Sequence, residues 1–402
     1  MDKPTVNRIF REYGIEYRQT YPATTQFEKK VMRSIEACRT EEMGGRIEVC
    51  EECGHKITLY NSCRDRHCPQ CQNMKKERWI LERKEETLPF TYFHIVFTLP
   101  HALNTVAFKN KRTIYSLMFS SCSTALLSIS AQEKYFGADI GFFAILHTWG
   151  QQLNPHPHLH CAVPGGGYSR SKGKWIHAPY DYLVPVRVLK LRFRSIFMRG
   201  LKNLHKSGSL YLAGTKFEDP EAFQKLIDDL YSAEWVVYLK ESFKNRESVI
   251  EYLARYTHRI AISNNRIVSA DNRLVSFKYR DYKDHNREKI RSMDVLSFMR
   301  LFMLHVVPHR FVRIRYFGIL ANRNKQKAIR ACREFYKLQL HMKNKPLTWQ
   351  DIFRKVTGKN CRECPVCGRG RLIVQEIIMP SRYRAPPVIV LSGNSNKLLC
   401  PM

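Results

Sequence analysis

Features that would assign this chain to a membrane or a secretory class are missing from its sequence. No apolar run reaches the roughly 20 residues that span a bilayer, and the start, Met1-Asp2-Lys3-Pro4, lacks the apolar core of a signal peptide. Acidic residues are scarce, because 36 Asp and Glu stand against 67 Lys and Arg, a formal net charge of +31. We expect a cytoplasmic protein with a polyanionic partner. Nucleic acid is the first candidate; a membrane surface is the weaker one, since the basic residues are spread along the chain.

The length and composition predict a globular protein of two or three domains. The chain has 402 residues, of which 44% are hydrophobic, enough for a sizeable core. Tyr92 to Leu99 and Gly141 to Trp149 are predicted strands, and residues 104 to 132 are a predicted helix. A further strand and a helix follow. This order predicts an α+β fold, an antiparallel sheet with helices on one face.

Cysteine is abundant, and its spacing in the N-terminal part predicts zinc. In a cytoplasmic protein 13 cysteines are better explained by metal than by disulfides. Two knuckles, Cys50-x2-Cys53 and Cys68-x2-Cys71, offer four thiolates for one structural Zn²⁺. Four neighbouring residues form a second tetrahedral site or supply a partner to the first: Cys38, His55, Cys63 and His67.

A third group of cysteines lies near the C-terminus. Cys361, Cys364 and Cys367 have knuckle spacing, and Gly368 follows them. No second knuckle accompanies them, so they predict zinc less strongly. A partner in the N-terminal module and a vestigial site both stay open.

The stretch His156 to Tyr168 holds the clearest candidate for a catalytic metal site. In a strand, alternate side chains face the same way, so His158 and His160 share one face and Leu159 and Cys161 the other. Two imidazoles on one face can hold a divalent metal ion if a third ligand is close.

Three residues are candidates for that third ligand. Gln151 precedes the histidine strand by a turn and is preferred, while His156 and His258 stay open. The histidine pair alone is a common pattern, and packed or surface histidines account for it more often than a metal site does.

A second stretch, about a hundred residues later, supplies candidate nucleophiles. Tyr252 and Tyr256 are four residues apart in a helix-forming run from Ser248, so they lie on one helix face. A tyrosine hydroxyl attacks a phosphodiester when a metal ion stabilises the developing charge. Together the two pairs predict a site that cuts a nucleic-acid strand.

Basic residues near these elements are predicted to bind DNA. Arg255 and Arg259 flank Tyr256, and Arg313 and Arg315 alternate in a predicted strand from Phe311. Alternate residues of a strand share a face, which could follow a phosphate backbone. Ordinary solvation of that face is the other interpretation.

These residues resemble the two-tyrosine HUH transposases of bacterial insertion sequences, which move by a rolling-circle route. The resemblance covers most of the chain and rests on five stretches: Cys50 to His55, Asn61 to Gln72, His94 to Pro100, His156 to Gly167, and Tyr252 to Tyr256. One departure is Arg46, where the resemblance predicts a histidine.

The resemblance implies a division into three domains and an activity. Residues 1–90 would form N-terminal helices and a zinc-binding module. Residues 91–325 would form an HUH catalytic domain with a palm of antiparallel sheet and a basic insertion, and residues 326–402 a C-terminal helix, cysteine knuckle and tail. His158 and His160 would bind catalytic Mg²⁺ or Mn²⁺, and Tyr256 or Tyr252 would cut single-stranded DNA at element ends and join it to target DNA through a 5′-phosphotyrosine.

Other classes of protein compete with this interpretation. A plasmid replication initiator or relaxase would use the same chemistry, but the chain has no Gly-x4-Gly-Lys motif of an attached helicase. A zinc-dependent DNA-binding protein without catalysis would leave the paired histidines and tyrosines unexplained. We expect a protein of the bacterial cytoplasm, associated with the nucleoid and not with a membrane; self-association stays open.

Overall fold

The computed structural model describes residues 3–178, 183–243, 246–257, 261–282, 284–338 and 347–381. Within them the helices and strands are, in chain order, α1 (Val6–Thr20), α2 (Gln26–Ala37), β1 (Gly45–Cys50), β2 (Lys56–Tyr60), α3 (Gln72–Glu85), β3 (Tyr92–Thr98), α4 (Asn104–Lys109), α5 (Lys111–Ser130), β4 (Gly141–Trp149), β5 (Pro155–Pro164), β6 (Gly166–Ser169), β7 (Lys174–His177), α6 (Val186–Lys206), α7 (Pro220–Ser232), β8 (Val236–Phe243), α8 (Arg246–Thr257), β9 (Ile267–Asp271), β10 (Leu274–Asp281), β11 (Arg287–Asp294), α9 (Val295–Leu304), β12 (Ile314–Gly318), α10 (Lys325–Phe335), α11 (Trp349–Thr357) and β13 (Leu372–Ile378). The α+β class is as expected.

The chain divides into two compact units, and the first joins both ends of the sequence. It comprises Met1–Lys75 and Lys345–Met402, and the second comprises Lys76–Asn344. In the first unit β1 is the middle strand of an antiparallel sheet of order β13-β1-β2. This division differs from the three predicted domains, because backbone hydrogen bonds between β13 and β1 place the C-terminal segment in the zinc module.

Helix boundaries in the first unit follow local capping chemistry. Thr25 accepts a hydrogen bond from the backbone N–H of Glu28, whose carboxylate accepts one from the N–H of Thr25. Thr348 and Asp351 repeat this capping box at the start of α11. Each box satisfies N–H groups that the first helical turn leaves without partners, which stabilises that end by about 1 kcal/mol.

The second unit is built on a five-stranded antiparallel sheet of order β12-β4-β5-β3-β8. Alternation along the strands sorts side chains between the two faces. Leu159, Cys161 and Val163 of β5 enter one apolar cluster, which also contains Phe193 and Phe197 of α6. Each fully buried aromatic or aliphatic side chain of this kind contributes about 2 kcal/mol to folding.

The opposite face of the sheet is covered by α8. Val249 and Leu253 of this helix pack on Phe143 and Ile145 of β4 and on Ala162 of β5. The prediction of helices on one face is therefore wrong, because α5 and α6 cover one face and α8 the other.

One helix in the described residues, α5, is long and apolar enough to cross a membrane, contrary to the expectation that no apolar run has that length. Ile114, Met118, Phe119 and Leu126 of this helix are buried in the sheet core. The apolar length of α5 is thereby explained as that of a core helix, since its side chains pack on the sheet and on α6.

The first three strands after α8 form a separate antiparallel sheet of order β11-β10-β9. A hairpin joins β9 and β10, and Asn272 and Arg273 in its turn take the positive φ values of 50° and 62° that a tight turn needs. The third strand, β11, pairs with β10 along its whole length.

Candidate metal and tyrosine site

Three histidines from two adjacent strands meet on the α8 face of the sheet. His158 and His160 lie on β5, and His147 of β4 is the direct cross-strand partner of His158. Directly opposed residues of an antiparallel pair present their side chains to the same face. The three side chains are buried.

The ring nitrogens of this histidine trio are close enough to bind one ion. One nitrogen from each ring lies within 4.8 Å of the others, and His147 Nδ1 is 3.2 Å from His158 Nε2. Nitrogen ligands about 2.1 Å from a shared ion lie about 3.0–3.4 Å apart. His160 Nε2 is buried with no hydrogen-bond partner among the described residues, as expected of an atom whose partner is a metal ion.

Burial keeps the trio in the state that binds metal. It lowers the pKa of His158 to about 3, and the neighbouring His156 adds to the effect. Burial likewise holds the pKa of His147 and His160 well below the ordinary value, with nearby imidazoles contributing. A neutral imidazole has the free lone pair that coordination requires.

Backbone and side-chain groups behind the rings orient them. His158 Nδ1 donates to the carbonyl of His156 at 2.6 Å, which leaves Nε2 as its ligand atom. His94 Nε2 lies 2.9 Å from His160 Nδ1, and the two rings stack. Such partners fix the tautomer of a metal-binding histidine.

The two tyrosines of α8 lie against this trio. The ring of Tyr256 stacks on His160, with centroids 4.0 Å apart and an interplanar angle of 23°. The hydroxyl of Tyr256 donates to that of Tyr252 at 3.2 Å, and the Tyr252 ring packs edge-on against His94. The structure therefore brings together the histidine pair and tyrosine pair that the sequence analysis selected.

An open cavity gives access to the site. It is lined by the histidine trio and Tyr256, and Gln151, Arg266 and Tyr282 lie on its wall. Gln151, the preferred third ligand, donates from Nε2 to the Tyr282 hydroxyl at 3.0 Å.

The structure thus pairs His147, and not Gln151, with the predicted histidines. His156 is also outside the trio, and His258 lies outside the described residues. Sequence reasoning missed His147, although the strand pattern around it was recognised.

Two of the four arginines predicted to bind DNA, Arg313 and Arg315, have other partners in the structure. Arg313 precedes β12, is buried, and donates to the carbonyls of Tyr256 and Thr257 at the end of α8. Arg315 lies over the rings of Phe119 and Phe311. The prediction that Arg313 and Arg315 share a strand face that binds DNA is therefore wrong for Arg313. Its guanidinium instead holds the C-terminal end of α8.

The other two arginines of that prediction are Arg255 and Arg259. Arg259 and the side chain of Arg255 lie outside the described residues.

The N-terminal cysteines also group differently from the prediction. One cluster contains Cys38, Cys63, Cys68 and Cys71, and the other contains Cys50, Cys53, Cys364 and Cys367. In each, the four sulfur atoms lie within 4.8 Å of one another. The predicted single site of Cys50, Cys53, Cys68 and Cys71 is therefore wrong.

The hairpin formed by β1 and β2 explains the separation. Cys50 and Cys53 lie at its turn, whereas Cys38 and Cys63 lie beyond its open end, where Gly45 pairs with Tyr60. Five residues of strand span about 17 Å, far more than one ion bridges.

The two predicted histidine ligands are not in either cluster, nor is the first cysteine of the C-terminal group. His67 is buried and pairs through Nδ1 with Asp65 at 2.9 Å. The carbonyl of His55 accepts a hydrogen bond from the N–H of Cys50. Neither histidine nor Cys361 belongs to a cysteine cluster. The predicted second site of Cys38, His55, Cys63 and His67 is thus wrong in its histidines.

Comparisons with known proteins agree with this architecture. Residues 9–99 match a family model described as "Transposase zinc-binding domain", and residues 141–328 match one described as "Putative transposase". The second region contains the histidine trio and both tyrosines. These matches define the class: a transposase with a zinc-binding domain.

Two curated relatives narrow the class. The chain is 41% identical over 379 residues to "Putative transposase y4qJ" of Sinorhizobium fredii, covering 93% of this chain and 95% of the relative. It is 28% identical over 304 residues to "Transposase for insertion sequence element IS801" of Pseudomonas savastanoi pv. phaseolicola, covering 74% and 71%. The chain belongs to the two-tyrosine rolling-circle transposase family of bacterial insertion sequences, as its motifs indicated. No solved structure matches it.

Proposed function

We propose that this transposase cuts and rejoins single-stranded DNA at insertion-sequence ends by tyrosine transesterification. The observation that carries the proposal is the stacking of Tyr256 on His160 at 4.0 Å, within a cavity lined by the histidine trio. A nucleophile and the ligands of an activating ion are thereby held at one place.

The reaction conserves the energy of the phosphodiester. The phenolic oxygen attacks phosphorus, the bond to the 3′-oxygen breaks, and that oxygen leaves as a hydroxyl after taking up a proton. The product is a 5′-phosphotyrosine, which a DNA 3′-hydroxyl later attacks in reverse. Because one ester is exchanged for another at each step, no nucleotide cofactor is consumed.

Tyr256 is the better candidate for the first cut. It lines the cavity and contacts His160, whereas Tyr252 is not among the lining residues and packs against His94. The two hydroxyls are 3.2 Å apart, a distance that supports Tyr252 as the nucleophile for a second DNA strand.

The histidine trio would hold the catalytic ion through neutral imidazoles. When bound, the ion acts as a Lewis acid on the scissile phosphate. Three nitrogen ligands favour Mn²⁺ over Mg²⁺, since Mg²⁺ prefers oxygen. We therefore expect Mn²⁺ to support cleavage at a lower concentration than Mg²⁺, which a titration of each ion against initial rate checks.

The charge of the chain supports a DNA substrate in the bacterial cytoplasm. A net charge of +31 favours a polyanion, and Arg266 is among the residues that line the cavity. Membership of the transposase family favours this activity over replication initiation.

Trapping the covalent intermediate tests the proposal. Labelled single-stranded DNA carrying element ends, incubated with the full chain and Mn²⁺, should yield a protein–DNA adduct. The adduct should be lost in the Tyr252→Phe, Tyr256→Phe double variant and kept in Tyr282→Phe, which removes another phenol at the same cavity.

Two results would reject tyrosine catalysis. One is an adduct that persists in the double variant. The other is tight DNA binding without an adduct in the presence of either ion, which would indicate a zinc-dependent DNA-binding protein.

A further inference from the structure

Two cysteine pairs that are more than 300 residues apart form one compact cluster. Cys50 Sγ lies 3.7 Å from Cys367 Sγ, and Cys53 Sγ lies 3.7 Å from Cys364 Sγ. Four sulfur ligands around Zn²⁺, with bonds of about 2.3 Å, lie about 3.8 Å apart. A disulfide would require about 2.05 Å. The spacing therefore matches the edges of a zinc–thiolate tetrahedron.

The two pairs have the same backbone geometry. Gly54 and Gly368 follow the second cysteine of each pair, and both have a φ of +67°. Their N–H groups donate to the carbonyls of Cys50 and Cys364 at 3.1 and 2.9 Å. An added Cβ would meet nothing within 4 Å at either glycine, so backbone conformation alone requires them. Each pair is thus a complete metal-binding knuckle.

A third glycine makes room for the sulfur atoms. A Cβ on Gly370 would lie 2.3 Å from Cys50 Sγ. The N–H of Gly370 donates to Cys367 Sγ at 3.3 Å. Hydrogen bonds from backbone N–H groups stabilise thiolates, the form of cysteine that binds metal.

We propose that Cys50, Cys53, Cys364 and Cys367 bind a zinc ion that fastens the C-terminal segment to the N-terminal module. This site is distinct from the cluster of Cys38, Cys63, Cys68 and Cys71. Half of its ligands lie outside residues 9–99, the region matched by the zinc-binding family model. The proposal does not depend on the catalytic chemistry proposed above.

The bound ion acts together with β13. The two knuckles lie beside the end of the β1–β13 ladder, where Cys50 pairs with Leu372. The ion would therefore hold this end of the ladder closed, and its removal should let the C-terminal segment separate from β1.

Zinc content measured on the full chain tests the site. Elemental analysis should show about one Zn²⁺ fewer per chain in Cys364→Ser, Cys367→Ser than in the wild type. The matched control, Cys361→Ser, changes a cysteine of the same segment and should lose none. Any zinc at the histidine trio is common to all three proteins and cancels in the difference. Equal zinc content in the double variant and wild type would overturn the proposal.

A second measurement uses the wild-type protein, so its result does not depend on whether a cysteine variant folds. Cys53 is exposed, so without a metal ion its thiol should react readily with a maleimide. We expect Cys53 to be protected in the native protein and to react after a chelator is added, whereas Cys361 reacts in both conditions. Reaction of Cys53 in the untreated protein, with zinc content unchanged, would reject the site.

The zinc measurements are independent of DNA cleavage. The Tyr256→Phe variant should keep the wild-type zinc content, because Tyr256 contacts no cysteine cluster. A protein that fails to form the DNA adduct can therefore still show the second zinc ion, and the reverse also holds.

Discussion

Replacing His147 with alanine should remove one of the three ligands that we propose for the catalytic ion. Its Nδ1 lies 3.2 Å from His158 Nε2, and both rings are buried. Loss of a residue that only orients a ligand weakens metal binding about 10- to 100-fold. Loss of the ligand itself should cost at least the upper figure, so we expect the Kd for Mn²⁺ to rise by about 100-fold or more, about 3 kcal/mol.

The assay compares His147→Ala with Gln151→Ala. Gln151 lines the same cavity but donates to the Tyr282 hydroxyl, so its loss should leave Mn²⁺ affinity unchanged. Calorimetric titration of the full chain gives the affinity, and adduct yield against Mn²⁺ concentration gives the functional effect.

The reverse order of effects would refute this reasoning. If Gln151→Ala weakened Mn²⁺ binding and His147→Ala did not, the third ligand would be the glutamine. The His147 ring also packs on Trp149, with centroids 3.7 Å apart, so its loss costs stability. His147→Gln, which retains more volume, and a thermal unfolding curve separate lost binding from lost folding.

Three further predictions concern residues that support the site. His94→Phe should raise the Kd for Mn²⁺ about 10-fold, because His94 Nε2 orients His160 from 2.9 Å; an unchanged titration would exclude that role. Arg313→Met should lower the free energy of unfolding in urea by about 2–3 kcal/mol, because the carbonyl of Thr257 loses a charged donor at 3.1 Å; a loss below the error of the urea fit would contradict it. Burial lowers the pKa of His305 to about 4 in the folded protein. Between pH 6.5 and pH 4, therefore, His305 is protonated in the unfolded state but neutral in the folded state. Stability is thus full above pH 6.5 and falls toward pH 4, by up to about 3 kcal/mol. His305→Asn should lose less stability than the wild type between pH 7 and pH 5, and equal losses would contradict this.

The alternation of side chains predicted which residues of β5 face the core, because alternate residues of a strand lie on opposite faces of the sheet. Leu159 and Cys161 enter the core while His158 and His160 turn away from it, as the period of two requires. The alternation of side chains along a strand does not predict which face of the sheet α8 covers. The position of α8 depends on its packing against β4 and β5, a tertiary contact that helical periodicity cannot supply.

A shift in the pairing of β4 with β5 made His147 difficult to predict as the third histidine. Trp149 pairs with Pro155, and from that pair an ideal hairpin would place Pro157 opposite His147. The register shifts between His147 and Trp149, so His158 takes that position. A bulge of this kind leaves little trace in a sequence.

Cysteine spacing identified the knuckles but not their partners. Each knuckle is a local structure of a few residues, whereas Cys53 and Cys364 are separated by 311 positions. Proximity in sequence favoured pairing Cys50 with Cys68. The β1–β2 hairpin prevents this pairing, because the cluster that contains Cys50 lies at its turn and the cluster that contains Cys68 lies at its open end.

The strand order of the first unit has a consequence for synthesis on the ribosome. β1 emerges early and can pair with β2 at once, but its other neighbour, β13, is translated only after the whole second unit. Until then one edge of β1 presents unpaired N–H and C=O groups, which can template association with another chain. Nascent chains of this transposase should therefore be most prone to aggregate before Leu372–Ile378 leaves the exit tunnel.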